Sequence, residues 1–204
     1  MVKSGLIAIT GGIGSGKSSV AAYLCEVARA RCLDLDLICR DLVVPGEAGW
    51  LALREAFGDQ FFLPDKTLDR PLVRRRLFAD ENFRRRIDEL IHPLARTALF
   101  AGLENQPEPG TNLISGRVVV EVPLLFEAGW QNDFAHVVVV YADKQTIIRR
   151  LGRRDGITEI EAEQAYSAQQ DMAAKALLAD HVIDNSGFWW ATCLQVHHLK
   201  DVFW

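Results

Sequence analysis

The sequence predicts an α/β fold in which a parallel sheet is covered by helices on both faces, and three observations predict it. Apolar runs rich in β-branched residues, at residues 5–10, 117–122 and 136–141, are too continuous for half-exposed strands and suit strands buried on both sides. Stretches with apolar residues at helical spacing alternate with them. The first run ends in a glycine-rich turn that leads straight into one of these helical stretches, giving the order strand, loop, helix.

In chain order, residues 5–10 form a strand and residues 18–30 a helix. Residues 32–35 suit a short second strand, and 36–44 a helix that stops before Pro45-Gly46, a pair that cannot continue it. Residues 47–57 read as another helix. From about 60 to 112 the character changes: a turn-rich piece, Leu63-Pro64-Asp65-Lys66, precedes arginine-studded helical patterns that run through Phe100. This stretch is expected to be a helical insertion, leaving residues 1–59 and 113–204 as the core. Asn105 to Gly110, with two prolines, reads as a loop. Strands at 117–122 and 136–141 follow, then helices at 144–153 and 158–170, a strand at 181–183 and a final helix after Gly187.

Composition narrows the function. The 204 residues are 49% hydrophobic and 25% charged, enough for a full core without disulfides or metals, and no run approaches the roughly 20 apolar residues of a membrane span. The net charge of −4 argues against the broad cationic surface of nucleic-acid binding. Met1-Val2-Lys3-Ser4 runs into the first strand without a leader-like apolar region, so a cytoplasmic location, with neither nucleic-acid nor membrane partners, is the expectation. Cys25, Cys32, Cys39 and Cys193 form no CxxC pair and are expected to be free thiols. The runs Arg74-Arg75-Arg76 and Arg84-Arg85-Arg86 are expected to be solvated helix faces.

The chemistry begins at Gly11-Gly12-Ile13-Gly14-Ser15-Gly16-Lys17-Ser18, a full GxxxxGK[ST] match placed after a buried strand and at the start of a helix. Glycines let successive N–H groups turn inward around phosphate oxygens, and the helix dipole adds to the attraction. The backbone from Gly12 through Ser19 is therefore expected to bind ATP. Lys17 would reach the β- and γ-phosphates, and the Ser18 hydroxyl would ligate Mg²⁺ bridging them. The fold class becomes a three-layer P-loop NTPase-type sheet, which fixes nucleotide use but leaves the reaction open. No NKxD motif for guanine follows the later strands, and the chain is short for a motor ATPase.

Asp34-Leu35-Asp36-Leu37-Ile38-Cys39-Arg40 places carboxylates at the end of the second strand, the edge where open α/β sheets bind ligands. Asp36 there suits two tasks, accepting a proton from an attacking hydroxyl or capping the following helix.

Taken together, GGIGSGKSS, DxDxIxR at Asp34 to Arg40, LIHPL at Leu90 to Leu94, VPLLFE at Val122 to Glu127 and ADxVIDNSG at Ala179 to Gly187 resemble the dephospho-CoA kinase family in order and spacing, over nearly the whole chain. That resemblance implies ATP-dependent phosphorylation of the ribose 3′-hydroxyl of dephospho-CoA with Mg²⁺. It implies Asp36 as catalytic base, Arg40 and His92 as substrate contacts, and residues 60–112 as a CoA-binding insertion. Pro123 and Leu124 would shape the acceptor site, and Asn185 and Gly187 would lie near adenine. It also implies a lid over about 144–175 whose arginines, Arg150 and Arg154 first among Arg149, Arg150, Arg153 and Arg154, close on the phosphates.

Two stretches depart from the family's pattern: Ala173-Ala174-Lys175-Ala176 carries only one charge, and Ala28-Arg29-Ala30-Arg31 replaces a glycine-containing turn. The alternatives are another small-metabolite kinase, of nucleosides or sugars, and an ATP-binding switch that acts on a partner. Oligomeric state is not written in the sequence, and Glu121 receives no role from it.

Overall fold

A computed structural model describes residues 5–104, 111–167 and 172–204. Five strands, β1 (Leu6–Thr10), β2 (Arg31–Asp34), β3 (Val118–Glu121), β4 (His136–Tyr141) and β5 (His181–Asp184), pair in parallel in the order β2-β3-β1-β4-β5. The helices are α1 (Lys17–Ala28), α2 (Leu35–Leu42), α3 (Ala48–Phe57), α4 (Arg70–Ala79), α5 (Glu81–Glu104), α6 (Lys144–Asp155), α7 (Glu159–Ser167), α8 (Met172–Leu177) and α9 (Trp189–Phe203). None of the described helices is long and apolar enough to cross a membrane.

The chain divides into two compact units, residues 1–34 with 106–204, and residues 35–105. The helical unit therefore begins at Leu35 and not near residue 60. The reason is packing: α2 and α3 lie against α5 and are helices of that unit by contact. Its core gathers Phe57, Phe61, Val73 and Phe83, with the Phe61 and Phe83 ring centroids 4.9 Å apart. The two arginine runs are exposed as expected; Arg76 pairs with Asp80 at 2.9 Å, and the Arg86 guanidinium sits 5.0 Å from the Phe57 ring centroid.

In the sheet unit, Ile7, Ile9, Val119, Val138, Val140 and Ile183 face Val20, Leu24, Val196 and Leu199 of α1 and α9. Intervening strand residues, among them Ala8, Val120 and Val139, are also fully buried, which is why these strands read as continuous apolar runs. Burial of this kind contributes about 25 cal/mol per Å² of apolar surface.

The helix expected at 158–170 is described only over α7, and residues 168–170 lie outside the described residues, as does the 105–110 loop. The helix α8 was not expected. The missing glycine after α1 is replaced by Arg29 in the left-handed region at φ 51°, and its N–H caps the Cys25 and Glu26 carbonyls. All four cysteines are free; Cys25 and Cys32 share a hydrogen bond that raises the pKa of the Cys25 thiol.

Candidate active site

The phosphate loop follows from its glycines. Gly14 and Gly16 take φ of 71° and 90°, and a Cβ at Gly16 would collide with the Asn185 side-chain amide. Gly16 caps α1 in the left-handed conformation, so the first N–H groups of the helix open onto the loop. Ile13 packs into the cluster formed by Ile147, Leu151 and Ala162, which seats the loop against α6 and α7. Ser15 is buried, and its Oγ has no partner among the described residues.

Ser18 Oγ donates to Glu121 Oε1 at 2.7 Å, and Lys17 Nζ lies 3.9 Å from the same oxygen. Glu121 is the last residue of β3, and its Cα pairs in register with Asp34 on β2 and Ile9 on β1. Sequence reasoning placed this carboxylate inside a strand and gave it no role. Its signal was the strand's end, which only the register reveals.

A cleft of about 810 Å³ is lined by Gly14, Gly16, Lys17, Ser18 and Ser19 of the loop, by Arg150, Arg153 and Arg154, and by Asn185 and Gly187. Phe188 and Trp189, which sequence reasoning did not single out, complete it. The arginines differ in what they hold. Arg150 Nη1 donates to the Gly14 and Ser15 carbonyls at 3.3 and 3.1 Å, and its Nη2 to the Asn185 carbonyl at 2.8 Å. Burial, then the neighbouring Arg149 charge, lowers its pKa. Its guanidinium thus straps the loop to the turn after β5. Arg154 makes a bidentate pair with Asp155, at 2.7 and 2.8 Å, on an exposed helix end. Arg149 donates to Thr146 Oγ1 at 3.3 Å.

Asn185 is 3% exposed and faces inward: its Nδ2 donates to the Ser15 carbonyl at 2.7 Å, and its Oδ1 accepts from Thr192 Oγ1 at 2.9 Å. Asp143, the cap of α6, accepts from Thr146 N–H at 2.8 Å, which holds its carboxyl below the usual range.

Pro123 and Leu124 start the turn after β3. Thr10 Oγ1 donates to the Pro123 carbonyl at 3.3 Å, while the Leu124 side chain is exposed. Farther along, Glu127 Oε1 accepts from Lys175 Nζ at 2.7 Å, and Lys175 is 2% exposed. Three residues earlier on α8, Met172 Sδ accepts the Gly12 N–H at 3.0 Å. The short helix α8 therefore touches both the phosphate loop and the turn after β3, and Lys175, the one charge of its stretch, is a buried anchor.

The helical unit holds the remaining expected residues. Asp36 is exposed in the first turn of α2, which starts at Leu35, so it lies within the helix and does not cap it from outside. Arg40 is one turn farther on the same face. His92 Nε2 is 3.6 Å from Asp88 Oδ1 on α5, where burial raises the Asp88 pKa. Pro93 lies inside α5, so its ring supplies no N–H to that helix.

A parallel sheet in this strand order, a GxxxxGK[ST] loop between β1 and α1, and a lysine, hydroxyl and carboxylate converging beside it define a P-loop nucleotide-binding protein of the small-molecule kinase type. The profile of the dephospho-CoA kinase family matches residues 5–189. A dephospho-CoA kinase from Shouchella clausii is 39% identical over 181 residues, 89% of each chain. One from Geobacter metallireducens is 41% identical over 185 residues, covering 89% of this chain and 88% of its own. A crystal structure of a Thermus thermophilus protein superposes with a TM-score of 0.78 at 30% identity, over 98% of this chain and 96% of that one. The chain belongs to the dephospho-CoA kinase family.

Proposed function

We propose that this chain transfers the γ-phosphate of ATP to the ribose 3′-hydroxyl of dephospho-CoA, giving coenzyme A. The observation that carries the reading is the Lys17–Ser18–Glu121 constellation inside a chain matched by the family from residue 5 to 189.

Ser18 and Glu121 offer two hard oxygens 2.7 Å apart, a donor set that fits a small hard cation completing its shell with water and phosphate. No cluster of three or more His, Cys, Asp or Glu that could hold a metal lies among the described residues. Mg²⁺ held there would neutralise charge on the β- and γ-phosphate oxygens. Lys17 binds the same oxygens, and the N–H groups from Ile13 to Ser19 cradle the triphosphate.

Asp36 accepts the 3′-hydroxyl proton as that oxygen attacks the γ-phosphorus in line. Arg40 and His92 hold the acceptor, the helical unit receives the rest of the CoA moiety, and Pro123 and Leu124 bound the acceptor's side of the turn. In this reading Arg150 acts by fixing the loop. Arg153 and Arg154 supply the guanidinium charge over the transferring group, since exchanging an exposed Asp155 partner for phosphate costs little. The reaction is one of soluble metabolites in the cytoplasm.

An acceptor panel tests the proposal: purified protein with ATP and Mg²⁺ should phosphorylate dephospho-CoA and leave shikimate, gluconate and nucleosides unmodified. Turnover of one of those compounds at a higher kcat/KM would replace the acceptor assignment.

A further inference from the structure

Lys175 is the most deeply buried charged residue among those described, at 2% exposure, and no step of the proposed phosphotransfer uses it. Its Nζ donates to Glu127 Oε1 at 2.7 Å, while the Glu127 side chain keeps 34% of its surface in contact with water. Taking an ammonium group out of water is costly, and an apolar pair of similar volume is often as stable as a buried ion pair. What a directed pair adds is a fixed position, since hydrophobic contact has no direction.

The two ends of this pair belong to different parts of the site. Glu127 lies in the turn after β3, past Pro123 and Leu124. Thr10 Oγ1 holds the start of that turn through the Pro123 carbonyl at 3.3 Å, the Ala128 N–H donates to the Leu124 carbonyl at 3.0 Å, and the Trp130 N–H donates to the Leu125 carbonyl at 3.1 Å. Exposed Leu124 therefore stands between a tie at Pro123 and a tie at Glu127. Lys175 comes from α8, whose Met172, three residues earlier on the same face, accepts the Gly12 N–H of the phosphate loop at 3.0 Å. The chain after α8 is fixed to the sheet: the Asp180 N–H donates to the Val137 carbonyl at 3.1 Å, and the Val137 N–H to Asp180 Oδ2 at 2.8 Å. One face of α8 thus joins the phosphate loop to the turn after β3.

We propose that Lys175 is a positioning residue for phosphotransfer: through Glu127 it fixes the turn after β3 relative to the phosphate loop, so that the acceptor hydroxyl meets the γ-phosphate in line. The inference rests on the reading of Pro123 and Leu124 as the acceptor's side of the turn. A displacement of about 1 Å between reacting groups costs about 100-fold in rate, so a turn loosened by that much is felt in kcat. Arg40 and His92, which hold the acceptor in that reading, and the loop N–H groups that hold ATP are not on the turn, so the binding of either substrate changes little.

The double substitution Lys175→Met with Glu127→Leu replaces the pair by an apolar contact, keeping the packing and removing the direction. Steady-state kinetics of the full chain with Mg²⁺, ATP and dephospho-CoA, together with hydrogen exchange of the unliganded protein, test the proposal. Expected in the double variant are a kcat about 10- to 100-fold below wild type and KM values for ATP and dephospho-CoA within about 3-fold of it. The Ala128, Gly129 and Trp130 amides should exchange at least about 10-fold faster, while those of Val138 to Val140 in β4 keep their protection. A kcat within about 3-fold of wild type, a raised KM at unchanged kcat, or unchanged protection of the turn would overturn the proposal. So would equal acceleration of the turn and β4, which marks a loss of overall stability. Wild-type protein that makes no coenzyme A would sink the acceptor assignment, and exchange would then decide for or against the tie by itself. Normal wild-type phosphotransfer with an unchanged double variant would sink the tie and leave the acceptor assignment standing.

Discussion

Replacing Arg150 by alanine separates a strap from a phosphate contact. The side chain donates to three backbone carbonyls, two of them at 3.1 Å or less, and joins the phosphate loop to the turn after β5. A hydrogen bond from a charged donor contributes about 1.5–3 kcal/mol. The cleft is open to water, which can rehydrate the freed carbonyls, so the two shorter bonds together are worth about 3 kcal/mol, with the 3.3 Å contact adding little. Alanine is a good helix former, so the loss does not come from α6 itself. In a chain of 204 residues that loss lowers Tm by about 6–12 °C. Differential scanning calorimetry without nucleotide reads it directly, because bound ligand would shift the apparent stability. Arg150→Lys, a point charge without the fork, should recover about half. An Arg150→Ala protein that melts within about 2 °C of wild type yet loses phosphotransfer would refute the strap and return Arg150 to the phosphate.

Other outcomes follow from single contacts. Arg29→Gly relieves a left-handed arginine and should raise stability by about 0.5–1 kcal/mol, read as a higher urea midpoint at unchanged m-value. Lys175→Met strands Glu127, and since that carboxylate is partly exposed the cost is about 2–3 kcal/mol. Pairing it with Glu127→Leu should recover most of that loss, an effect a purely local packing defect would not show. Burial first, then the His136 charge, lowers the His181 pKa against the opposing pull of Asp180. The folded state therefore holds this imidazole neutral, and its contribution is complete above the ordinary histidine pKa of about 6.5 and fades as pH falls through it. Thermal melts between pH 8 and 5 should show a smaller acid loss in His181→Gln than in wild type.

The sheet was legible because β-branched runs buried on both faces leave an unbroken apolar pattern, and residues 136–141 were bounded correctly from that pattern alone. The loop from Gly11 to Ser18 was legible because its glycines and lysine are required by backbone geometry and charge. The helix α8 was not, because its six residues carry no amphipathic repeat and its two buried members, Met172 and Lys175, find their partners Gly12 and Glu127 far away in sequence. Glu121 was visible in the sequence but received no role for a related reason: its nearness to Ser18 and Lys17 is a property of strand register. Arg150 was recognised as facing the site, but a sequence cannot say that backbone carbonyls meet its guanidinium first. The start of the helical unit at Leu35 was hidden because α2 follows β2 without a break, and only contacts assign it to α5.

The central claim, transfer to the 3′-hydroxyl of dephospho-CoA, is tested most directly by ³¹P NMR of the product formed from ATP and dephospho-CoA with Mg²⁺. The account predicts a new 3′-phosphomonoester resonance matching authentic coenzyme A, equimolar with ADP, and absent with Lys17→Ala. ADP accompanied only by inorganic phosphate, or a phosphomonoester at another position, would contradict it.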